Sequence, residues 1–267
     1  MSFAPSIIKV VADAVDRVRP VPAGLVVLIY HRVGGHTPVR VDLPTPSFDA
    51  QISELADAGA VLAIGEAVER LAMGEDLTGR VVVTFDDGTA DFVDDAVPVL
   101  ERHGVPATLY VATRHIDEGI DFPDEGRSAS WDGLRDAASS GLITIGSHTH
   151  SHVLLDRLPI TEVADELDRS IDLIGRHLGV RADHFAYPKA LAPTPAAEQL
   201  VRERFVSAAL AGTRANPAGT DVHRLHRSPV QTTDGIRWFR RKVAGGMRFE
   251  DDLRQLVNRR RYAGATS

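Results

Sequence analysis

The sequence predicts an α/β fold in which helices cover a parallel sheet, and three observations carry that expectation. Short apolar runs of strand length alternate with amphipathic runs of helix length along most of the chain. Side chains able to bind a metal or move a proton cluster where those apolar runs end, as they do in parallel α/β sheets. The 267 residues are enough to bury one large core. A (β/α) barrel and a doubly wound open sheet both satisfy these observations. No internal repeat, low-complexity tract or linker divides the chain. A single domain is therefore expected over 25–267, preceded by a helical extension over 1–24.

The elements follow in order. Ile7, Val11, Ala14, Val15 and Val18 share one helical face, which predicts a leading helix packed on the domain. Leu25 to Tyr30 reads as a buried strand ending in His31-Arg32, and Ser47 caps a helix carrying Phe48, Ile52 and Leu55. Val81 to Phe85 is the next strand, followed by a helix from Phe92 to His103 and a strand from Ala107 to Ala112. The polar stretch from Ile116 to Ser130 is expected to be a loop over the mouth of the site. A short helix over Trp131–Ser140 leads to a strand over Leu142–Ile145. Thr161 then caps an amphipathic helix with Val163, Leu167, Ile171, Ile174 and Leu178 on one face and Gly179 as its stop. Short strands at Phe185–Tyr187, Phe205–Leu210 and Leu225–Val230 follow, the first two separated by a helix over Ala196–Arg204. Helices at Asp234–Val243 and Arg248–Arg260 close the chain.

Composition narrows the function. The net charge of −7 argues against a nucleic-acid partner, which calls for a basic face. Arg259-Arg260-Arg261 reads as a helix C-terminus favourable to the dipole. There is no cysteine, so any metal must be held by histidine and carboxylate. No run approaches the length of a transmembrane helix. The first residues lack the pattern of a secretory signal, which makes the cytoplasm the expected location.

Two motifs carry the chemistry. Val83 to Gly88 read VTFDDG, and Gly146 to His152 read GSHTHSH. Two histidines four residues apart, His148 and His152, are spaced as on one helical turn and can share an ion. Asp86 and Asp87 add two carboxylates, and the turn at Gly88 lets both face one pocket. Two imidazoles and one carboxylate suffice to hold a divalent ion, leaving the other carboxylate as a base. His150 should point away from the ion, while Thr149 and Ser151 bond locally to their turn. Trp131 and Trp238 fit helix packing better than a stacking cleft.

These motifs resemble those of the polysaccharide deacetylases, carbohydrate esterase family 4, with its NodB-homology domain. The resemblance extends to YHRV at 30–33, GVPATLYV at 104–111, the stretch at 130–149 and FAYP at 185–188, and so covers roughly residues 25–245. It implies a distorted (β/α) barrel of seven or eight strands. It also implies a divalent ion on Asp87, His148 and His152, with Asp86 as the general base. The expected ion is zinc, with cobalt or nickel as substitutes. The third family motif departs from its pattern here. In Ala186-Tyr187-Pro188-Lys189-Ala190 the usual arginine is missing and Lys189 replaces an aromatic residue. The YH and LHRSPV segments resemble the short YH subgroup. That match makes His31 the general acid, with His226 its rival, and gives Arg227 part of the missing arginine's work. Tyr187, Lys189 and Arg227 are the residues expected beside the substrate or the oxyanion, the backbone N–H of Lys189 being the oxyanion donor.

The reaction implied is removal of an N-acyl group, acetyl above all, from an amino sugar, glycoconjugate or glycan. An amide or imide hydrolase of the allantoinase type is the enzymatic alternative, and a catalytically silent glycan-binding barrel is the alternative of another class. Only 6% of the residues are aromatic, so no stacking cleft for a long glycan is evident.

Overall fold

A computed structural model describes residues 4–16, 18 and 22–252 of the chain. Its elements are α1 (Ala4–Asp16), β1 (Val26–Tyr30), β2 (Arg32–Val33), β3 (Asp42–Leu43), α2 (Thr45–Asp57), α3 (Ile64–Ala72), β4 (Val81–Phe85) and α4 (Val97–His103). They continue with β5 (Ala107–Val111), α5 (Thr113–Glu118), α6 (Trp131–Ser139), β6 (Ile143–Ser147), α7 (Ile160–Leu178), β7 (His184–Ala186), α8 (Pro195–Arg204), β8 (Ser207–Ala209), β9 (Arg227–Pro229) and α9 (Gly235–Val243). A further helical turn covers 248–252. The rest of the helix expected there, with Arg259-Arg260-Arg261, lies outside the described residues.

Seven parallel strands form one sheet in the order β8-β7-β6-β5-β4-β1-β9. Its two ends meet. Ala209 bridges Leu225 in parallel, and the N–H groups of Leu210 and Gly212 donate to the carbonyls of Leu225 and Arg227 at 2.8 and 2.9 Å. The sheet is thus nearly closed into a barrel, which decides between the two architectures the sequence allows. Every residue of β1, β4 and β5 is buried, as expected for strands covered on both faces.

Alternation along the strands divides the core in two. Val26, Leu28, Tyr30, Val81, Val83 and Phe85 face outward onto the helices, where Phe48, Ile52 and Leu100 meet them. Leu25, Val27 and Val82 face inward and pack on Ile64, Ala67, Val68 and Leu71 of α3. That helix closes the end of the barrel where the strands begin. It is absent from the elements expected above, although its four buried residues have the i, i+3, i+4, i+7 spacing of an amphipathic helix.

Other expectations need correction. Helices α2 and α7 start before Ser47 and Thr161, with Pro44 and Pro159 as their cap residues. The stretch from Phe92 begins with a wide turn over Phe92–Ala96, and α4 starts only at Val97, because Pro98 has no N–H to continue the ladder. Helix α5 takes the first residues of the polar stretch that was expected to be loop throughout. The leading helix forms, but its buried face is not the apolar one. Val11 and Val18 are exposed, whereas Lys9, Ala12 and Asp13 are buried. Ion pairs explain the inversion. Lys9 pairs with Asp234 and with Glu250 at 3.0 Å, and Asp13 pairs with Arg241 at 2.7 Å. The side chain of Ile7 lies outside the described ones.

One glycine is demanded by the barrel interior. Tyr110 of β5 pairs in register with Gly146 of β6, and its ring lies across the glycine. A Cβ at 146 would sit 2.7 Å from that ring and 2.6 Å from the carbonyl oxygen of His184. Backbone on one side and a buried ring on the other leave no room to yield. Gly146→Ala is expected to destabilise the fold by about 1–3 kcal/mol. Urea unfolding measures this, and an unchanged midpoint would show that the ring is free to move aside.

Candidate active site

The site is built where β1, β4, β6 and β7 end, with β5 as the ridge between its two halves. The N–H of Ala112 donates to the carbonyl of Asp87 at 2.9 Å, and the N–H of His148 donates to that of Val111 at 2.9 Å. Both ligand-bearing segments are therefore fastened to one strand. Asp87 adopts φ 76° and Gly88 φ 99°. This sharp turn lets neighbouring carboxylates, which a regular strand would point to opposite faces, share one pocket.

The histidine segment differs from the expected helical turn. Residues 148–152 form an irregular loop, with Thr149 at φ 68° and His152 at φ 60°. Its hydrogen bonds hold that shape. The N–H of His152 donates to Thr149 Oγ1 at 3.0 Å, and that of Thr149 to Ser147 Oγ at 3.2 Å. Glu166 of α7 accepts from the N–H groups of His150 and Ser151 at 3.0 and 2.8 Å, and from Ser151 Oγ at 2.6 Å. Nothing in the sequence singles out Glu166, which looks like an ordinary polar-face residue of a long helix. His150 turns away from the site and meets Thr113 Oγ1 at 3.0 Å.

Asp87, His148 and His152 converge, each offering one ligand atom, with all of these atoms within 4.8 Å of one another. His152 Nε2 lies 3.3 Å from Asp87 Oδ1, and His148 Nε2 lies 3.7 Å from it. His148 Nδ1 sits 2.7 Å from the carbonyl oxygen of Ala186, an acceptor that fixes the proton on Nδ1 and leaves Nε2 free to ligate. Burial lowers the pKa of His148. For His152, burial and then the charge of His148 lower it to about 4. Both rings are neutral at neutral pH, the form that binds metal. The donor set, two imidazoles and a carboxylate with one open side, fits a divalent ion.

Asp86 has a different partner. Arg227 reaches it from inside the barrel as a fork, Nη1 donating to Oδ1 at 2.5 Å and Nη2 to Oδ2 at 2.8 Å. The guanidinium is wholly buried. Its Nε donates to the carbonyl of Leu210 at 3.2 Å and Nη1 also to Thr84 Oγ1 at 3.3 Å, while the Tyr110 ring centroid lies 5.3 Å from the guanidinium carbon. Burial pushes the carboxyl of Asp86 up, but the charge of Arg227, joined by its hydrogen bonds, outweighs it and holds the pKa at about 2. Removing one partner of such a buried pair costs about 3–5 kcal/mol.

His31 follows β1 on the same rim. Its charge is among those acting on Asp86, and its Nδ1 is enclosed without a hydrogen-bond partner. Lys189 stands on the turn after β7, exposed, with φ 53°, and its charge acts on His152. Two expected residues do not join this group. Tyr187 packs edge-on against Phe185 at 5.1 Å, and the charges acting on its hydroxyl are those of Glu198, Arg202, Arg224 and Asp221. His226 packs on Gly212, with Arg214, Asp251 and Arg248 as its charged neighbours. The mouth is flanked as expected by the polar loop. Arg32 pairs with Asp91 at 2.8 Å and donates to the carbonyl of Asp124 at 2.7 Å, and Ala129 N–H donates to the carbonyl of Gly88 at 3.0 Å.

Comparison with known proteins agrees with this geometry. The family model for polysaccharide deacetylase matches residues 74–203, a stretch containing Asp86, Asp87, His148 and His152 but neither His31 nor Arg227. The Bacillus subtilis protein YxkH, whose name places it with the polysaccharide deacetylases, is 30% identical over 169 residues, 62% of this chain and 57% of that protein. The chain thus spans little more than half the length of this relative. The structure of IcaB from Ammonifex degensii superimposes with a TM-score of 0.72 at 28% identity, covering 84% of this chain and 99% of that one. The Streptococcus pyogenes deacetylase PplD, solved in complex with acetate, shares the fold with a TM-score of 0.74 at 20% identity, covering 83% and 99%. With its motifs, its barrel and these relatives in agreement, residues 74–203 of the chain carry the match to the polysaccharide deacetylase family.

Proposed function

We propose that this protein is a metal-dependent hydrolase that removes an N-acyl group, in the first place acetyl, from an amino sugar or glycoconjugate. The observation that supports this most is the division of labour between two neighbouring carboxylates. Asp87 shares a pocket with two neutral imidazoles, whereas Asp86 is held apart by the Arg227 fork. A site that only bound metal or glycan would have no use for the second arrangement.

Asp87, His148 and His152 would hold the ion, and zinc suits the donor set, with cobalt or nickel as functional substitutes. A bound divalent ion supplies Lewis acidity toward the acyl carbonyl and acidifies a water beside it. Asp86 accepts the proton of the attacking water. Arg227 keeps Asp86 ionised and fixes the plane of its carboxylate, at the cost of basicity, so the base suits an acidified water better than a bulk one. The backbone N–H of Lys189, on the turn whose lysine charge acts on His152, serves as oxyanion donor. His31 donates a proton to the departing amine, which leaves poorly without one. Its place after β1, beside Asp86 on the rim, supports that role over His226, which sits among Arg214, Asp251 and Arg248.

Three outcomes test this reading. Protein purified without chelator should carry one divalent ion per chain by elemental analysis, and His148→Ala should lose it. Metal content unaffected by that change would remove the ligand assignment. Asp86→Asn should keep the ion and lose about 10²–10⁴-fold in kcat on an N-acetylglucosamine oligomer, read as acetate released. Turnover near wild type in that variant would make Asp86 structural. His31→Ala should retain far more activity on an activated aryl acetate, whose leaving group needs little protonation, than on the N-acetyl sugar. Equal losses on the two substrates, or a greater loss in His226→Ala, would take the acid role from His31.

A further inference from the structure

The chain holds three lysines among its 30 basic residues, and two of them are structural. Lys9 and Lys242 are buried and share Asp234, and Lys242 also donates to the carbonyl of Pro229 at 2.7 Å. Lys189 is the third. It is exposed and has no ion-pair partner among the described residues.

Its place is well defined. The turn Pro188–Ala190 follows Ala186, whose carbonyl faces His148 Nδ1 at 2.7 Å, and Tyr187, whose N–H donates to the carbonyl of Ala209 at 3.1 Å. Pro188 is buried, so the chain is anchored immediately before the lysine. Lys189 itself adopts φ 53° and ψ 10°, a left-handed conformation that costs an L-residue energy and that glycine would relieve. The loop bearing Asp124 and Glu125 lies on the other side of the mouth, fastened to Arg32 and to the turn after β4.

An ammonium group beside a cation site opposes the binding of a cation there. The arrangement becomes favourable when anionic oxygens lie close to both. Asp86 does not serve that purpose, because its charge is balanced by Arg227. Asp87 is a single carboxylate, 3.3 Å from His152 Nε2 and placed to ligate the ion itself. With a divalent ion on Asp87, His148 and His152, two charges on the ion and one on Lys189 would face the single carboxylate of Asp87, a local surplus of positive charge in a protein whose net charge is −7.

We infer that Lys189 reads an anionic substituent, a phosphate or a carboxylate, on the acylated amino sugar, so that the substrate class is an anionic amino-sugar derivative rather than a neutral chitin-like chain. The inference rests on the deacylase reading of the same site. Lys189 determines specificity through its side chain, while its backbone N–H remains available to the oxyanion whichever residue stands at 189.

The test compares three probes on the zinc-loaded protein: N-acetylglucosamine, N-acetylglucosamine 1-phosphate and N-acetylmuramic acid. Rates are measured on the unaltered site, and equilibrium binding on the Asp86→Asn background with and without Lys189→Met, where turnover does not interfere and the charge freed on Arg227 is common to both. At low salt, at least one anionic probe should exceed the neutral one about tenfold in kcat/KM and in affinity, and the excess should shrink as salt is raised. Preference for the phosphate or for the muramic carboxylate identifies the anion. Lys189→Met and Lys189→Gly should abolish the preference alike, although glycine relaxes the backbone, and Lys189→Arg should keep most of it. Hydrolysis of all three probes without charge preference overturns this inference and leaves the deacylase reading intact. Lys189-dependent anion binding with no hydrolysis by the wild type does the reverse. A preference that survives Lys189→Met assigns the anion to another group and also overturns it.

Discussion

An arginine enclosed in a barrel cannot escape its charge by giving up a proton, so the interior must be arranged around it. Arg227 enters on β9 at the level of Val27, and its side chain rises along the inner wall past Thr84 to Asp86. Each step of that climb has a dedicated contact, from the carbonyl of Leu210 to the face of Tyr110. The Tyr110 ring reaches this place only because residue 146 has no side chain. One charge pair thus dictates a threonine, an aromatic residue and a glycine on three neighbouring strands. It also dictates closure, since the strand that carries Arg227 joins the sheet through Val27 on one side and through Gly212 on the other. An open sheet would leave the guanidinium in water, where its hold on the carboxylate would be weak.

Backbone strain gathers around the same mouth. Of the seven described non-glycine residues with positive φ, Asp87, Thr149, His152 and Lys189 belong to the site, and Asp124 and Glu125 belong to the loop fastened over it. Left-handed backbone is costly for such residues and persists only where surroundings over-determine it. Those surroundings are visible here as the Glu166 carboxylate under residues 150 and 151, the β5 backbone beside Asp87 and His148, and Arg32 beneath the loop. The groups with the most demanding geometry therefore rest on partners contributed by different strands and helices.

This explains what the sequence discloses and what it hides. Strand β4 is legible because an apolar run stops at two carboxylates, and the ligand trio is legible because its residue types are rare together. The shape of the histidine segment is not legible. A spacing of four suggests a helical turn, yet Thr149 and His152 fold it as a loop whose support comes from Glu166, more than ten residues away. The inverted face of α1 is hidden for a similar reason, because Lys9 finds Asp234 at a separation of 225 residues. Periodicity counts a lysine as an outward residue and has no term for a distant partner. Arg227 was half legible: its segment suggested a role near the base, but not that both of its terminal nitrogens would bind Asp86.

The barrel interior also has two ends with opposite demands. Where the strands begin, Leu25, Val27 and Val82 meet the apolar face of α3, and that contact is bought with simple area burial at roughly 25 cal/mol per Å². Where the strands end, the wall carries Thr84, Asp86, His148 and Arg227, groups that oppose burial unless matched and that each find a hydrogen-bond partner here. The apolar end keeps water from reaching the guanidinium from below, which lowers the local dielectric and strengthens the fork on Asp86. A helix with no chemistry of its own is thereby coupled to the ionisation of the base. Loosening α3 would wet the barrel beneath Arg227 and let the carboxylate drift toward an ordinary pKa, with every ligand still in place.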